Sequence, residues 1–255
     1  MRRDIDEALS GWPYEPEPGE VLAREVRTRD GRNVVQIRVE LGILQMETQG
    51  RPDGLRPHGF STYLEYLRHR AMGKSSAPGA KPPEWTMTEH QSLEADREFV
   101  QYHHRRVAWL SLERHDKALL DADHTLALMD FIRRFGRSND SIASQERLRG
   151  LVLFQRTRAA AALALEGSRP EEAIEAVRDG IEKLAAHRLA WESENEGDET
   201  PNGALLEQLQ ILESDIRKNF KVEKTLKEQL EDAVSAEDYE LAARLRDQMR
   251  IRKSS

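Results

Sequence analysis

The sequence predicts a mainly α-helical protein with a small α+β unit at its N-terminus. The composition is 33% charged, 38% hydrophobic and 6% aromatic, which suits modest cores covered by solvated helices. A period-two apolar pattern is confined to residues 20–48, whereas later residues show apolar positions at three- and four-residue steps. We therefore expect a β-hairpin plus helix, a central repeat-like helical bundle and a C-terminal antiparallel helical hairpin.

The N-terminal unit is assigned to residues 1–72. Apolar residues alternate with polar ones from Ile37 to Ile43, which is typical of a strand. Gly31 lies between this strand and an earlier run over 21–28, and a glycine there supplies the positive φ that hairpin turns need. Gly42 interrupts the alternation and is interpreted as a bulge or bend. A short helix is expected over 60–72.

Two segments are predicted to be linkers. Residues 73–91 begin with a Gly-, Ser- and Pro-rich stretch that has no apolar pattern, and residues 192–203 are acidic and contain Pro and Gly. These linkers divide the chain into the N-terminal unit, a central bundle over 92–191 and a C-terminal part over 204–255.

The central bundle is predicted to contain two helix pairs. One pair turns near Arg114 and the other at Gly167, where Ser168 and Glu171 match a capping box and Pro170 suits the first helical turn. Small residues such as Ala118 and Ala173 open the second helices.

In this respect the two helix pairs resemble tetratricopeptide repeats, although Ala118 and Ala173 are 55 positions apart instead of about 34. This spacing predicts a compact bundle that acts as a scaffold or offers a concave peptide groove.

The C-terminal part is predicted to be a long helix followed by a helical hairpin. Leu205, Leu209 and Ile216 follow helical spacing, and a helix break is expected near Ser235, where Ser235 and Asp238 form a predicted capping pair. The second arm has an apolar arc about twice as wide as that of the first arm. One half of this arc is therefore expected to remain available to a partner.

The stretch TLKEQLEDAVSAEDYELAARLRDQM resembles the UVR motif of UvrB and UvrC. The shared features are Leu226, Leu230, Ala233, the run Glu237–Glu240, the pair Ala242-Ala243 and the final Leu245-Arg246-Asp247. The resemblance implies a protein-interaction hairpin over 222–253 that binds a UVR-bearing partner or forms a homodimer, with no catalysis of its own. The predicted partner-binding residues are Tyr239, Leu241, Ala242, Leu245, Arg246, Asp247 and Met249.

These features favour an adaptor over an enzyme. The net charge is −7 and no basic cluster is present, so direct contact with nucleic acid is not expected, although a DNA-repair accessory protein that contacts nucleic acid is one alternative. The absence of cysteine rules out Cys-ligated zinc, and no cofactor or metal is predicted. The start lacks the apolar run of a secretory signal, and no stretch approaches about 18 apolar residues, so we expect a cytoplasmic protein. The resemblance to the UVR motif implies that it is bacterial.

A second alternative places chemistry in the Gly- and Pro-rich loop over 50–59. Polar side chains gather there and could bind an anionic ligand or perform acid-base work. The candidate residues are Arg51, Asp53, Arg56 and His58. No nucleophile, metal set or second acid accompanies them at a meaningful spacing, so this loop is the weaker candidate for the function.

Overall fold

A computed structural model describes residues 5–72, 85–195 and 202–254, with side chains up to Arg250. The chain divides into two compact units, Met1–Val152 and Leu153–Ser255. Of the predicted linkers over 73–91 and 192–203, residues 73–84 and 196–201 lie outside the described residues, whereas 192–194 and 202–203 are helical. The three-part division of the chain stays a prediction. Within the described part, no helix is long and apolar enough to cross a membrane.

An antiparallel sheet of three strands lies in the first unit. Its strands are β1 (Ala23–Arg27), β2 (Asn33–Val39) and β3 (Gly42–Glu47), in that spatial order. The predicted hairpin is confirmed, and Gly31 has the expected positive φ of 86°. The bulge at Gly42 is wrong, because the chain turns at residues 40–41 and Gly42 pairs with Val39. The long alternating run is therefore two strands.

The helices of the first unit are α1 (Asp6–Ser10), α2 (Tyr63–Met72), α3 (Glu89–Ser111), α4 (His115–Phe135) and the first part of α5 (Asn139–Glu166). The predicted turn near Arg114 and the short helix before residue 73 are confirmed. Thr88 and Gln91 form a capping box that starts α3. Met87 is fully buried, and Trp85 packs beside it in the core, so residues 85–91 belong to the folded unit.

Buried polar side chains connect the sheet and its following loop to α3 and α4. Arg105 pairs with Asp121 and also donates to the carbonyl oxygens of Glu47 and Gly50 at 2.9 and 2.8 Å. The Tyr102 hydroxyl donates to the same Gly50 oxygen at 3.0 Å. These bonds satisfy backbone carbonyls at the end of β3, where the strand ladder stops.

The second unit contains the rest of α5 with α6 (Pro170–Glu194), α7 (Asn202–Phe220), α8 (Leu226–Ser235) and α9 (Tyr239–Ser254). The turn at Gly167 and the position of Pro170 at the start of α6 are confirmed. The capping box of Ser168 with Glu171 is wrong, since Ser168 adopts a φ of 56° and the residue before Pro170 caps α6 without a side-chain bond.

Candidate interaction site

The terminal hairpin begins where α7 ends. Lys221 adopts a left-handed φ of 55°, and the Val222 N–H donates to the Arg217 oxygen at 3.0 Å, which closes the last turn of α7. Thr225 then caps α8: its hydroxyl accepts from the Glu228 N–H, while the Glu228 carboxylate accepts from the Thr225 N–H. The pattern Thr-x-x-Glu, here Thr225 to Glu228, is the sequence signal that marks the break between the long helix and the hairpin.

The turn between α8 and α9 is tight. Glu237 has a φ of 57°, and the Asp238 N–H donates to the Ala233 oxygen at 2.8 Å. The Asp238 carboxylate accepts from the Leu241 N–H at 3.0 Å, so Asp238 alone caps α9. The predicted capping role of Ser235 is wrong, because Ser235 is the last residue of α8 and its hydroxyl donates to the Glu231 oxygen.

The two arms enclose a small apolar core. Leu226, Leu230 and Ala233 of α8 pack against α9. Their partners are Ala242, Leu245 and Met249, three of the predicted partner-binding residues. Ala242 and Leu245 are buried by α8, so a substitution there acts first on the folding of the hairpin.

The other four predicted partner-binding residues, Tyr239, Leu241, Arg246 and Asp247, are exposed. The Tyr239 side chain is 69% exposed and that of Leu241 is 39% exposed. Arg246 donates to its neighbour Asp247 at 3.1 Å, and both side chains lie in solvent.

One side of the hairpin carries exposed apolar groups from both arms. Val234 of α8 is 52% exposed. It directly follows Ala233 of the hairpin core, just as Arg246 of α9 directly follows Leu245. In an antiparallel pair of right-handed helices, such positions on the two arms lie on the same side. Tyr239 is seven residues before Arg246 and shares its stripe. We call this surface, made of Lys227, Val234, Tyr239, Ala243 and Arg246, the Tyr239 side; Leu241 lies on the opposite side.

The outer face of α8 is held by ion pairs from α6 and α7. Arg217 of α7 contacts the Glu228 carboxylate at 2.7 Å, and Arg178 of α6 lies 3.4 Å from the same carboxylate. Arg178 also reaches Glu231 at 3.6 Å, and Glu175 lies 3.5 Å from the Lys227 Nζ. We call these residues, with Thr225, the Glu228 cluster.

The charges in this cluster shift the pKa of Glu228. Burial raises the pKa of the carboxyl, but hydrogen bonds from Arg217 and the Thr225 N–H outweigh that effect, and the net shift is downward. The same carboxylate raises the pKa of Arg217 against the opposing effect of burial. Both groups are therefore charged in the folded state over the neutral pH range.

The alternative site in the 50–59 loop is largely engaged within the protein. Arg51 is buried, and its guanidinium lies 3.1 Å from Asp53 and 3.2 Å from Glu94. His58 is exposed, stacks on the Tyr66 ring at 4.0 Å and adopts a positive φ. Arg56 is exposed on the same loop. The Arg51 guanidinium thus pairs with carboxylates of its own chain and is not exposed at the surface.

Among the described residues, no three or more His, Asp, Glu or Cys side chains lie together in a group that could hold a metal ion.

A short helical hairpin with a closed inner face and an exposed apolar side belongs to the class of helical interaction modules. Residues 222–250 match the family model of the UvrB/uvrC motif, which is a protein-interaction motif. The match begins just after α7 ends and continues through most of α9. Comparison with curated proteins and with solved structures gives no match. The chain therefore carries a UvrB/uvrC motif as its C-terminal hairpin.

Two parts of this site were not predicted from the sequence. Val234 is at the edge of the inward stripe of α8 by helical spacing, which does not show whether it is buried, and the structure leaves it exposed. The Glu228 cluster was missed because its members come from three helices that are distant in sequence. The acidic residues followed by an Arg in 171–178 and in 213–217 are compatible with any solvated helix and do not identify a contact.

Proposed function

We propose that this protein is an interaction adaptor whose terminal hairpin binds a second copy of the same hairpin through the Tyr239 side. The observation that carries this proposal is the exposure of Val234 and Tyr239 beside a hairpin core that is already filled. Because the inner face has its partner in the other arm, these two side chains are surplus to the folding of the hairpin. Tyrosine is one of the residue types that most often anchor a protein–protein interface.

The sizes of the residues along α9 suit a close helix pair. Tyr239, Ala243 and Arg246 form one stripe, with the small alanine between two large side chains. An antiparallel copy centred near Ala243 brings each Tyr239 opposite an Arg246 of the other copy. A guanidinium over a tyrosine ring contributes about 0.5 to 1 kcal/mol at an exposed site. A two-fold axis would form this contact twice.

Charge complementarity supports a second copy as the occupant. Glu237, Asp238 and Glu240 lie at the start of α9, whereas Arg244 and Arg246 lie further along it. In an antiparallel pair, the acidic start of each helix meets the basic part of the other. Such complementarity contributes to orientation and specificity more than to raw affinity.

This proposal favours a binding role over catalysis and over contact with nucleic acid. The buried arginine of the 50–59 loop is paired internally, and the chain carries a net charge of −7. Proteins that bind nucleic acid through phosphates generally present clustered positive charge. The motif match covers residues 222–250 and leaves the process that the adaptor serves open.

Sedimentation of the full chain over a range of concentrations tests the proposal. We expect reversible dimerisation, which Tyr239→Ala weakens and Ala243→Glu abolishes, because a carboxylate would be buried at the centre of the pair. Ala186→Glu is the matched control, since it places the same charge on an exposed alanine of α6 and should leave association unchanged.

A chain that stays monomeric at every concentration would exclude a second copy as the occupant. Adding a separate hairpin from another UVR-bearing protein then tests a heterologous partner on the same Tyr239 side. Dimerisation that survives Ala243→Glu would show that the contact lies elsewhere on the molecule.

A further inference from the structure

The contact between the hairpin and the helices before it is made of charges. The apolar core of the hairpin involves only α8 and α9 among the described residues, whereas α5, α6 and α7 share a separate core. Between these two cores lies the Glu228 cluster. Val222, between α7 and α8, packs against the core of α5, α6 and α7. Beyond Val222 the two parts are joined by ion pairs and hydrogen bonds, so α8 and α9 can move away without unfolding either part, because the described helices on the two sides share no apolar cluster.

Glu228 occupies the centre of this contact. Its carboxylate meets Arg217 of α7 and Arg178 of α6, and it also caps the first turn of α8. Thr225 adds a hydrogen bond to the Glu175 carboxylate, and the Leu226 N–H points to Glu171 at 3.4 Å. The start of α8 is thus fixed in position by side chains from both preceding helices.

The ion pairs that α6 makes with α8 are longer than the ion pair that α7 makes, although Thr225 also donates a hydrogen bond to Glu175 of α6. Arg178 Nη1 and Glu175 Oε2 are buried, yet neither makes a hydrogen bond within the described part of the chain. Their ion pairs with α8 are 3.4 to 3.6 Å long, compared with 2.7 Å for Arg217 and Glu228. Buried polar atoms without hydrogen bonds oppose a contact, so the ion pairs of Arg178 and Glu175 are the weaker part of the cluster.

The α6 contact also reaches the surface that the proposed function uses. Lys227 belongs to the Tyr239 side and is held by Glu175, while Glu231, which Arg178 reaches, lies one turn further along α8. Lys227 and Val234 are seven residues apart and share a stripe. Glu175 of α6 therefore holds the Lys227 end of the Tyr239 side, where Lys227 itself stays 48% exposed, whereas Val234 and Tyr239 have no such contact among the described residues.

We propose that the Glu228 cluster is an electrostatic latch that holds α8 against α6 and so restricts a second hairpin to the exposed end of the Tyr239 side. The limit that the latch places on hairpin pairing rests on the proposed function, whereas the latch itself does not. When the latch opens, the hairpin stays folded, the whole Tyr239 side becomes accessible, and pairing tightens. Salt weakens the latch chiefly at its half-exposed residues Lys227 and Glu231, since the Debye length falls from about 10 Å at 0.1 M to about 3 Å at 1 M.

Distance measurements between two spin labels test the latch. The chain has no native cysteine, so Glu182→Cys on α6 and Gln248→Cys on α9, both exposed, give a unique label pair in the full-length protein. We expect a narrow distance distribution at low salt that broadens at 1 M salt. Arg178→Glu should broaden it at low salt, because the new carboxylate faces Glu228 and Glu231.

Two further variants make the test specific. Lys183→Glu reverses a charge on the same helix at a residue that pairs with Asp179, and it should leave the distances unchanged. Combining Arg178→Glu with Glu231→Arg restores an opposite pair across α6 and α8, and it should narrow the distribution again. Rescue by the reversed pair distinguishes the latch from general damage to α6.

Sedimentation of the same variants tests whether the latch limits dimerisation. Arg178→Glu should dimerise at least about fivefold more tightly than the parent, at the low end of typical coupling between two sites. A distribution that stays narrow in Arg178→Glu and at 1 M salt overturns the latch, whether or not the protein dimerises. A broadened distribution with unchanged or weaker dimerisation overturns the restriction. If no variant dimerises, the proposed function fails, and the label distances still decide the latch.

Discussion

Arg105 and Asp121 form a two-point ion pair inside the first unit, with Nη2 to Oδ1 at 2.6 Å and Nε to Oδ2 at 2.9 Å. Both side chains are almost fully buried. The pair connects α3 to α4, and the remaining guanidinium nitrogen reaches the carbonyl oxygens of Glu47 and Gly50. One arginine thus holds the helix pair and the end of the sheet together.

Removing Asp121 should destabilise the first unit strongly. Asp121→Ala leaves the Arg105 charge buried without its partner, and breaking a buried pair in this way costs about 3 to 5 kcal/mol. Urea unfolding measures the loss. Arg97→Ala is the control, because the Arg97–Glu94 pair is exposed at the arginine and such pairs contribute about 0 to 1 kcal/mol. Equal effects of the two variants would contradict the central role of Arg105.

The stability of the first unit should fall in mild acid because of His103. Burial lowers the pKa of His103 to about 4, and the positive charge of Arg106 adds to this effect. Arg106 Nη2 also lies 3.3 Å from His103 Nδ1, which suits a neutral ring that accepts. As the pH falls, His103 takes up a proton near pH 6.5 in the unfolded chain but only near pH 4 in the folded chain. Stability is therefore complete above pH 6.5 and is lost as the pH falls towards 4.

Unfolding free energies at several pH values between 4 and 7 test this. His103→Gln should flatten the dependence, since glutamine does not titrate. His90→Gln is the control, because His90 is exposed at the start of α3 and should leave the slope as it is. An unchanged slope in His103→Gln would assign the acid sensitivity to another group.

Close packing of α5 against α6 requires a glycine at position 180. A Cβ there would lie 2.1 Å from the Thr157 hydroxyl and 2.3 Å from its methyl group. Gly180→Ala should cost about 1 to 3 kcal/mol in unfolding free energy, the range for overpacked cores. Gly203→Ala in α7 meets no atom closer than 3.7 Å and should be neutral or mildly stabilising. A neutral Gly180→Ala would mean that the two helices separate easily.

The sequence predicts much of this fold because its elements depend on local signals. The period-two pattern before residue 48 and the helical spacing after it distinguish strands from helices, and the turn at Gly167 follows from nearby Gly and Pro. The third strand was missed because residues 40–41 carry no turn signal of their own. Contacts such as Arg105 with Asp121 depend on how distant segments meet, which periodicity does not specify.

Helix ends were the other weak point of the prediction. Four helix turns contain a non-glycine residue with a left-handed φ: Glu113, Ser168, Lys221 and Glu237. In each, the next N–H donates to a carbonyl five residues earlier, as at Asp238 and Ala233. Glycine is the usual signal for this conformation, so these positions could not be recognised from residue type. In the candidate site, the left-handed Glu237 was not foreseen, and Ser235 was therefore predicted to form a capping pair with Asp238, which caps α9 alone.

Glycine at position 237 should stabilise the hairpin. Glu237 adopts a left-handed conformation that costs an L-residue about 1 to 2 kcal/mol, and glycine avoids that cost. Part of the gain is offset by the greater freedom of glycine in the unfolded chain, so we expect about 0.5 to 1 kcal/mol. Glu240→Gly, three residues later within α9, should destabilise the hairpin instead. Hydrogen exchange of the amides in α8 and α9 measures both.

Substitutions on α9 should separate the folding of the hairpin from its binding. Leu245 is buried against α8, so Leu245→Asp places a charge in the hairpin core and should unfold both arms, with loss of amide protection in α8 as well as α9. Tyr239→Asp changes an exposed side chain and should leave that protection unchanged while it weakens dimerisation. Leu241→Asp is the control, because Leu241 is exposed on the opposite side of the hairpin. If Leu241→Asp weakens dimerisation as much as Tyr239→Asp does, the binding surface extends around α9 and the Tyr239 side alone does not define it.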